Sequence, residues 1–152
     1  MIEMRHEPPD GPAAVALWGE YMALVSERAG PEFVPEERIF GTVDVFRGPN
    51  AAWIVLYEDD EAVACAGLRQ LEPGVAEIKR MFVTPRARGR GYARRMLTEL
   101  EEIAREAGQR EVRLFTTDML PEAMALYASE GYTVRSAHPM DVRTEFWLEK
   151  AL

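Results

Sequence analysis

The segment that most constrains this chain is residues 77–93, where an apolar strand pattern runs through a glycine turn directly into an amphipathic helix pattern. The turn carries Arg86, Gly89 and Gly91 in the order Arg-x-x-Gly-x-Gly. A glycine-rich turn lets the backbone approach a ligand closely. The first turn of a helix offers unpaired amides at the positive end of its dipole. This order of strand, turn and helix therefore predicts a site for phosphate groups.

Basic side chains strengthen the prediction of an anion site over that of a tight turn without a ligand. Five arginines fall within ten residues of a chain whose net charge is −8. They are Arg86, Arg88, Arg90, Arg94 and Arg95. The pattern predicts a ligand with more than one negative charge, held mainly by backbone amides with some help from the arginines.

Three other phosphate-binding motifs do not fit the turn. A P-loop ends in Gly-Lys-Ser/Thr, whereas Gly91 is followed by Tyr92 and Ala93. A Rossmann fingerprint requires a third glycine, and Arg94 occupies that position. A protein kinase would carry His-Arg-Asp and Asp-Phe-Gly segments further along, and the sequence has neither.

The turn and a second motif together resemble the GNAT superfamily of N-acetyltransferases. The first motif is similar to the family's Arg/Gln-x-x-Gly-x-Gly/Ala signature. Residues 121–132 resemble the later GNAT helix, which ends in Ala-x-x-Leu-Tyr-x-x-x-Gly-Tyr/Phe. The two motifs stand in family order, and the resemblance is good from about Trp53 to Lys150. It implies the α+β GNAT fold, a mixed central sheet flanked by helices, and acetyl transfer from acetyl-CoA to an amine.

The resemblance also implies where acetyl-CoA binds. Backbone amides from Arg88 to Ala93 would hold the pyrophosphate. Two sheet strands would diverge at the end of the preceding strand, and the exposed edge would pair with the pantetheine amides. The predicted cofactor-binding residues are Met81, Phe82, Val83, Arg86, Arg88, Gly89, Arg90, Gly91, Tyr92 and Ala93.

Glu77 is the candidate general base. An amine with a pKa near ~10.4 is protonated at neutral pH and must lose a proton before it attacks a thioester. The position of Glu77 resembles that of the glutamate base of some GNAT enzymes. An equally weighted alternative is an ion pair with Lys79 or Arg80, or exposure at a sheet edge. Strand alternation predicts one common face for Glu77, Lys79, Met81 and Val83.

Tyr127 is the candidate general acid, because it matches the family tyrosine that protonates the leaving thiolate of CoA. A phenol suits this role as a donor with a pKa near ~10. The alternative is a helix residue whose hydroxyl is hydrogen-bonded nearby. His138 is a second candidate base in a predicted loop, where a lone histidine is usually polar surface. Cys65 fits a small core residue better than a nucleophile. The family asparagine that contacts the cofactor is absent, which leaves a contact from Asp118 in doubt.

The acceptor is predicted to be a primary amine on a small molecule. Residues 30–50 and the loop around His138 are expected to bind it. Their acidic side chains would suit a cationic acceptor: Glu32, Glu36, Glu37 and Asp141. Two alternatives remain open, namely acetylation of a protein N-terminus or lysine, and a non-enzymatic acyl-CoA sensor. The oligomeric state is not fixed by the sequence, and a homodimer remains open.

Length and composition exclude several other classes. At 152 residues the chain is expected to be one domain, residues 1–152. Its net charge of −8 argues against a nucleic-acid partner. No apolar run approaches the ~20 residues of a membrane span, and the N-terminus lacks the apolar region of a signal peptide. The single cysteine cannot form an internal disulfide, which predicts that the protein is located in the reducing cytoplasm. The sequence contains no cluster of Cys and His residues that would suggest a metal site.

Hydrophobic periodicity predicts the order of the elements. The expected strands are 2–6, 52–57, 62–71, 75–83, 111–116, 132–135 and 143–149, with a long loop around His138 and Pro139 between the last two. The expected helices are one capped by Asp10 and running to about Arg28, a shorter one at 35–46, one from Ala93 to Gly108, and one at 121–130. The apolar face of the first helix is expected to use Val15, Leu17, Trp18, Tyr21, Met22 and Val25.

Overall fold

The computed structural model describes residues 1–30, 43–141 and 143–152. Seven strands lie in these residues: β1 (Ile2–His6), β2 (Ala52–Glu58), β3 (Glu61–Glu72), β4 (Val75–Val83), β5 (Glu111–Thr117), β6 (Thr133–Pro139) and β7 (Thr144–Ala151). The same residues form three α-helices: α1 (Pro12–Ala29), α2 (Tyr92–Glu106) and α3 (Pro121–Ser129). No helix in these ranges has the length and apolar character needed to cross a bilayer.

All seven strands belong to one sheet with the order β1-β2-β3-β4-β5-β7-β6. Neighbouring strands are antiparallel except β4 and β5. Those two run parallel because α2 carries the chain back along the sheet between them. This mixed sheet flanked by helices confirms the predicted α+β fold class.

The parallel strands β4 and β5 pair over only part of their length. Residues 75–78 of β4 pair with residues 111–114 of β5. Beyond that point β4 continues to Val83 and β5 to Thr117 without pairing to each other. Unpaired stretches of neighbouring strands leave backbone donors and acceptors available to a ligand. The divergence implied by the GNAT resemblance is therefore present in the sheet.

A β-bulge interrupts β4 close to this divergence. Cys65 of β3 pairs with Phe82, whereas Gly67 pairs with Lys79, so the one residue between them on β3 faces two on β4. The bulged residue Arg80 has a φ of 58°, which is uncommon for any residue other than glycine. Bulges of this kind often lie next to active sites, where they change the direction of a side chain.

The predicted common face of Glu77, Lys79, Met81 and Val83 is wrong because of this bulge. Met81 and Val83 pack instead against the hydrophobic cluster that contains Ile78. One extra residue in a strand moves every side chain after it to the opposite face. The bulge therefore places the side chains of Met81 and Val83 on the face of the sheet opposite to that of Glu77.

Each face of the sheet has its own hydrophobic cluster. In β2, Ile54 and Leu56 belong to the cluster on the α2 side, and Trp53 and Val55 belong to the cluster on the α1 side. The amphipathic pattern of α2 is confirmed by four residues that are buried in the first cluster: Met96, Leu97, Leu100 and Ala104. Packing on both faces fixes the sheet between α1 and α2, and so fixes the position of the glycine turn at the start of α2.

The start of α1 differs from the prediction. Gly11 is the N-cap, and no side chain caps the helix. Asp10 instead forms an ion pair with Arg47 at 2.9 Å, which takes its carboxylate away from the helix amides. Val15 was also predicted on the apolar face and is 62% exposed. Neither the missing Asp10 cap nor the exposure of Val15 alters the side of α1 that packs on the sheet, where Leu17 is buried as predicted.

The predicted long loop around His138 and Pro139 is wrong. Both residues belong to β6 and pair with Glu145 and Thr144 of β7. Most residues of β6 are exposed, so the sequence offers no hydrophobic alternation by which to recognise a strand. Backbone pairing at the edge of a sheet decides the structure here, and a proline at the end of an edge strand is tolerated.

The predicted helix at 35–46 lies mostly outside the described residues, as do Glu32, Glu36 and Glu37. Its last residues, Val43–Phe46, form a short 3-10 turn. The acidic residues proposed for a cationic acceptor are therefore represented only by Asp141, which is exposed between β6 and β7.

Candidate active site

A pocket of about 280 Å³ opens where β4 ends, and we call it the cofactor pocket. Its wall combines the end of β4, the glycine turn, the start of α2, the inner side of α1 and α3. Predicted cofactor residues in this wall are Met81, Phe82, Val83, Arg88, Gly89, Gly91, Tyr92 and Ala93. Arg86 and Arg90 do not line it. The fold therefore gathers most of the predicted cofactor residues around one cavity.

The glycine turn has the backbone geometry of an anion site. Gly89 and Gly91 have φ values of 80° and 78°, a region that favours glycine. Gly91 is the N-cap of α2, and the amides of residues 89–94 have no acceptor in the described part of the chain. A Cβ built on either glycine would meet no atom within 4 Å. Unpaired amides beside open space are what a phosphate group requires.

Two arginines of the turn are paired with carboxylates outside the cofactor pocket. Arg86 lies 2.7 Å from Glu61 and 3.3 Å from Glu20. Arg90 contacts Glu58 at 2.6 Å. These pairs hold both guanidinium groups at the surface and neutralise much of the local positive charge. Their predicted contact with the cofactor stays a prediction.

Arg88 and Arg94 are the arginines of the turn that line the pocket. The Nε of Arg88 donates to the carbonyl oxygen of Val83 at 3.1 Å, and Arg88 also lies 3.7 Å from Glu122. Arg94 pairs with Glu130. Because both guanidinium groups already have protein partners, the backbone amides are the main donors that the turn offers to an anion.

Tyr127 reaches the cofactor pocket from α3, and only 7% of its surface is exposed. Its ring packs edge-to-face against Tyr132, with 5.9 Å between the ring centroids. Burial raises the pKa of Tyr127, which keeps its hydroxyl protonated at neutral pH. The hydroxyl has no hydrogen-bond partner within the described ranges. Tyr127 can therefore donate to a group that occupies the pocket.

A second, smaller pocket of about 70 Å³ adjoins the first, and we call it the acceptor-side pocket. Tyr21 of α1 and Leu120, which precedes α3, line both pockets. The acceptor-side pocket lies along the unpaired stretches of β4 and β5. Its charged lining residues are Glu77, Lys79, Arg80, Arg143 and Glu145. The two pockets thus meet at the divergence of β4 and β5.

Glu77 lies in the wall of the acceptor-side pocket, with 3% of its side chain exposed. Its Oε1 accepts a hydrogen bond of 2.6 Å from Nε of Arg69, the residue opposite on β3. Directly opposed residues of antiparallel strands bring their side chains together. The ion pair considered from the sequence is therefore present, but with Arg69 as the partner. The base role of Glu77 stays a proposal.

The bulged Arg80 stacks on an aromatic ring beside the acceptor-side pocket. Its guanidinium carbon lies 4.0 Å from the centre of the Trp18 ring, a cation–π contact. Partial burial lowers the pKa of Arg80 and of Lys79. With Glu77 and Glu145 in the same wall, this pocket carries charges of both signs and suits a polar ligand.

The remaining candidates from the sequence line neither pocket. His138 is exposed on β6 and lines neither pocket. Asp118 accepts a hydrogen bond of 3.0 Å from the amide of Thr144, which ties the loop after β5 to β7. Burial raises the pKa of Cys65 to about 12, as expected for an inert core thiol. Within the described residues, no group of three or more His, Cys, Asp or Glu side chains could hold a metal ion.

Several lining residues were not recognised from the sequence. Tyr21 and Leu24 enter the cofactor pocket from α1, and Leu120, Ala123 and Leu126 enter it from the region of α3. The sequence contains only weak indications that these residues share a site. Tyr21 and Leu24 are three residues apart on one helix, and the last two lie within the motif that contains Tyr127. Their assignment to a pocket required the packing of α1 against the sheet.

Comparison with known proteins agrees with this geometry. The profile of the Acetyltransferase (GNAT) family matches residues 15–132. Among curated relatives, an uncharacterized N-acetyltransferase of Escherichia coli (strain K12), YjgM, is 37% identical over 86 residues. That segment is 55% of this chain and 51% of the relative, so the chain spans about half the length of this curated relative.

Solved structures share the fold. The putative acyl-CoA N-acyltransferase from Klebsiella pneumoniae subsp. pneumoniae MGH 78578 superposes with a TM-score of 0.76 and 24% identity, over 100% of this chain and 98% of that one. A putative streptothricin acetyltransferase from Bacillus anthracis str. Ames, in complex with acetyl coenzyme A, gives a TM-score of 0.66 and 14% identity over 72% and 66% of the two chains. The family match covers both the glycine turn and Tyr127. This chain belongs to the Acetyltransferase (GNAT) family of acyltransferases.

Proposed function

We propose that this protein is an N-acetyltransferase that transfers the acetyl group of acetyl-CoA to a primary amine of a small molecule. One observation carries the proposal: the cofactor pocket is lined by both the glycine turn and Tyr127, and it meets a second polar pocket at Tyr21 and Leu120. A donor and an acceptor bound in these two pockets would meet at the divergence of β4 and β5. The acetyl-CoA complex of a protein with the same fold supports this choice of donor.

The proposed reaction is direct attack of the amine on the thioester. Amides 89–94 would bind the pyrophosphate, and the strand end at Met81–Val83 would pair with pantetheine. Glu77 would take a proton from the amine in the acceptor-side pocket. The amine nitrogen then bonds to the acetyl carbon, the carbon–sulfur bond breaks, and its electron pair leaves on sulfur. Tyr127 would protonate that thiolate to release CoA. The nitrogen, which still carries one proton too many, would pass it to the Tyr127 phenolate, which leaves a neutral amide and restores the phenol.

The sequence and the pocket size support proposals about domain organisation, cellular location and the class of acceptor. We propose that residues 1–152 act as one domain in the cytoplasm, since a single buried cysteine needs no oxidising compartment. The polar acceptor-side pocket is small, about 70 Å³ in the described residues, which favours a small amine over a folded protein.

A screen of amines and peptides tests the proposal, with free-thiol detection of the CoA that is released. We expect at least one small amine to release CoA in step with its own acetylation, measured by mass spectrometry. Faster release with peptides would replace the small-molecule acceptor with a protein one. Binding of acetyl-CoA without acetylation of any amine would overturn the enzymatic proposal and favour an acyl-CoA sensor.

Glu77→Gln is expected to lower turnover most near neutral pH. Glutamine keeps the shape of the side chain and its contact with Arg69 but cannot take a proton. Part of the activity should return at high pH, because the amine loses its proton without help as pH approaches ~10. The measurement is the pH–rate profile from pH 6 to 10, together with the affinity for acetyl-CoA, which should stay unchanged.

Arg69→Gln is the matched control for this test. It breaks the same 2.6 Å ion pair but leaves the carboxylate of Glu77 in place. If Glu77 is the base, Arg69→Gln should not reproduce the recovery of activity at high pH. Equal and flat losses at every pH in both variants would assign Glu77 a structural role.

A further inference from the structure

The two pockets share a tyrosine that the proposed reaction has not used. Tyr21 lines both the cofactor pocket and the acceptor-side pocket. Leu120 is the other residue that lines both pockets, and its side chain is apolar. If the donor occupies one pocket and the acceptor the other, the reacting carbonyl must lie where the pockets meet. Tyr21 is therefore the polar side chain of the junction itself.

Aromatic packing fixes the ring of Tyr21. Its centroid lies 5.3 Å from the Trp18 ring and 5.5 Å from the Phe82 ring. Phe82 belongs to the end of β4, whose backbone is the proposed partner of pantetheine. A ring held between two others places its hydroxyl in one position at little further cost in side-chain entropy. The junction is thus preorganised, which is what transition-state stabilisation requires.

The state of the Tyr21 hydroxyl determines what it could offer a ligand at this junction. The hydroxyl has no hydrogen-bond partner in the part of the chain that the structure describes. Burial raises the pKa of Tyr21 to about 12, with smaller influences from Cys65 and Arg80. Tyr127 lines the same cofactor pocket, and Tyr21 adds a smaller upward shift to the pKa of Tyr127. At ordinary pH the Tyr21 hydroxyl is therefore a neutral donor.

We propose that the Tyr21 hydroxyl donates a hydrogen bond to the acetyl carbonyl oxygen of the bound thioester and stabilises the negative charge that grows there during attack. This role rests on the proposed acetyl transfer. When the amine nitrogen bonds to the carbonyl carbon, the π electron pair moves to oxygen, and no proton leaves Tyr21. The residue thus differs from Tyr127, which would give its proton to sulfur after the carbon–sulfur bond breaks.

Tyr21→Phe tests this role because phenylalanine keeps the ring contacts and removes only the donor. We expect turnover to fall about tenfold to a hundredfold, less than the ~10²–10³ of a sole oxyanion donor, because the backbone at the end of β4 shares the charge. The loss should be equal at every pH between 6 and 10, since no proton is transferred. The KM of the acceptor should stay unchanged, and the dissociation constant of acetyl-CoA should rise by less than turnover falls, because the hydrogen bond strengthens as charge grows on the oxygen.

Infrared spectroscopy tests the same contact without any acceptor. The carbonyl band of acetyl-CoA labelled with ¹³C at the acetyl carbonyl should lie at higher frequency in Tyr21→Phe than in the wild-type protein, because a hydrogen bond weakens the C=O bond. Incorporation of 3-fluorotyrosine at position 21, a stronger donor of nearly the same shape, should move the band in the opposite direction. This second substitution keeps the test decisive if the phenylalanine variant does not fold.

Tyr57→Phe is the control, since Tyr57 lines neither pocket and bonds to Glu7 instead. It should leave turnover and the carbonyl band unchanged. An identical carbonyl band in wild type and Tyr21→Phe would overturn the proposal, as would a loss confined to the KM of the acceptor. If acetyl-CoA binds but no amine is acetylated, the proposed function fails, and the carbonyl band still decides whether the Tyr21 hydroxyl contacts the thioester carbonyl.

Discussion

Gly89→Val is expected to abolish the stabilisation that acetyl-CoA gives to the wild-type protein. At a hundredfold excess over its dissociation constant, acetyl-CoA should add ~2.7 kcal/mol to the free energy of unfolding of the wild type. In a domain of this size that raises Tm by roughly 5–10 °C. The valine side chain would occupy the open space beside amides that bind the pyrophosphate. Its strain at a φ of 80° would also distort the turn.

Gly108→Val is the matched control for this loss of binding. Gly108 follows α2 with a φ of 81°, and a Cβ there also meets no atom within 4 Å, but it does not line the cofactor pocket. Both variants should therefore show similar drops in Tm without ligand. Thermal denaturation with and without acetyl-CoA should show the ligand-dependent shift only in Gly108→Val. A full shift in folded Gly89→Val would place the cofactor elsewhere.

Tyr127→Phe is expected to lower turnover by roughly ten- to a thousandfold while the protein folds normally and still binds acetyl-CoA. Phenylalanine preserves the edge-to-face contact with Tyr132 and removes the donor. Because burial raises the pKa of Tyr127, the wild-type phenol should remain an acid up to and beyond pH ~10. The fall in rate that follows its ionisation should lie above that pH and should be absent in the variant.

Tyr132→Phe provides the contrasting structural change. The buried hydroxyl of Tyr132 donates to Glu101 at 2.9 Å, so its removal should cost about 1–3 kcal/mol of stability. Turnover per folded molecule should stay near the wild-type value. Thermal denaturation and steady-state kinetics on the same preparations separate the two effects. A destabilised Tyr127→Phe protein with near-normal turnover would assign Tyr127 to packing and remove it from the mechanism.

Local patterns in the sequence were sufficient for the elements with strong hydrophobic periodicity. The bounds of β4 follow the prediction, and so does the apolar face of α2, because helical spacing buries one face of that helix. The turn at Gly89 and Gly91 was equally clear, since a positive φ selects glycine. Local patterns indicated only the start of β6, because that strand is mostly exposed and is held by backbone pairing at the sheet edge.

The residues of the candidate site likewise fall into those that local motifs identify and those that only the structure identifies. The residues that touch the cofactor pocket through the turn and through α3 lie in two local motifs. Tyr21 and Arg69 reach the site from α1 and β3, and only the packing and pairing of those elements connect them to it. The bulge at Arg80 is likewise invisible in the sequence, because its cause is the register of β3 against β4.

Short motifs and local periodicity were therefore sufficient to identify the family, the fold class and the place of the glycine turn. These follow from short segments whose residues act through the local backbone: glycines at positive φ, amides at a helix N-terminus, and one apolar face per element. Three features instead required the tertiary structure: the pairing of Glu77 with Arg69, the position of Met81 on the face opposite to the one that strand alternation predicts, and the contribution of Tyr21 to both pockets. Those features depend on strand register and helix packing, which join residues far apart in the chain, and no local pattern encodes them.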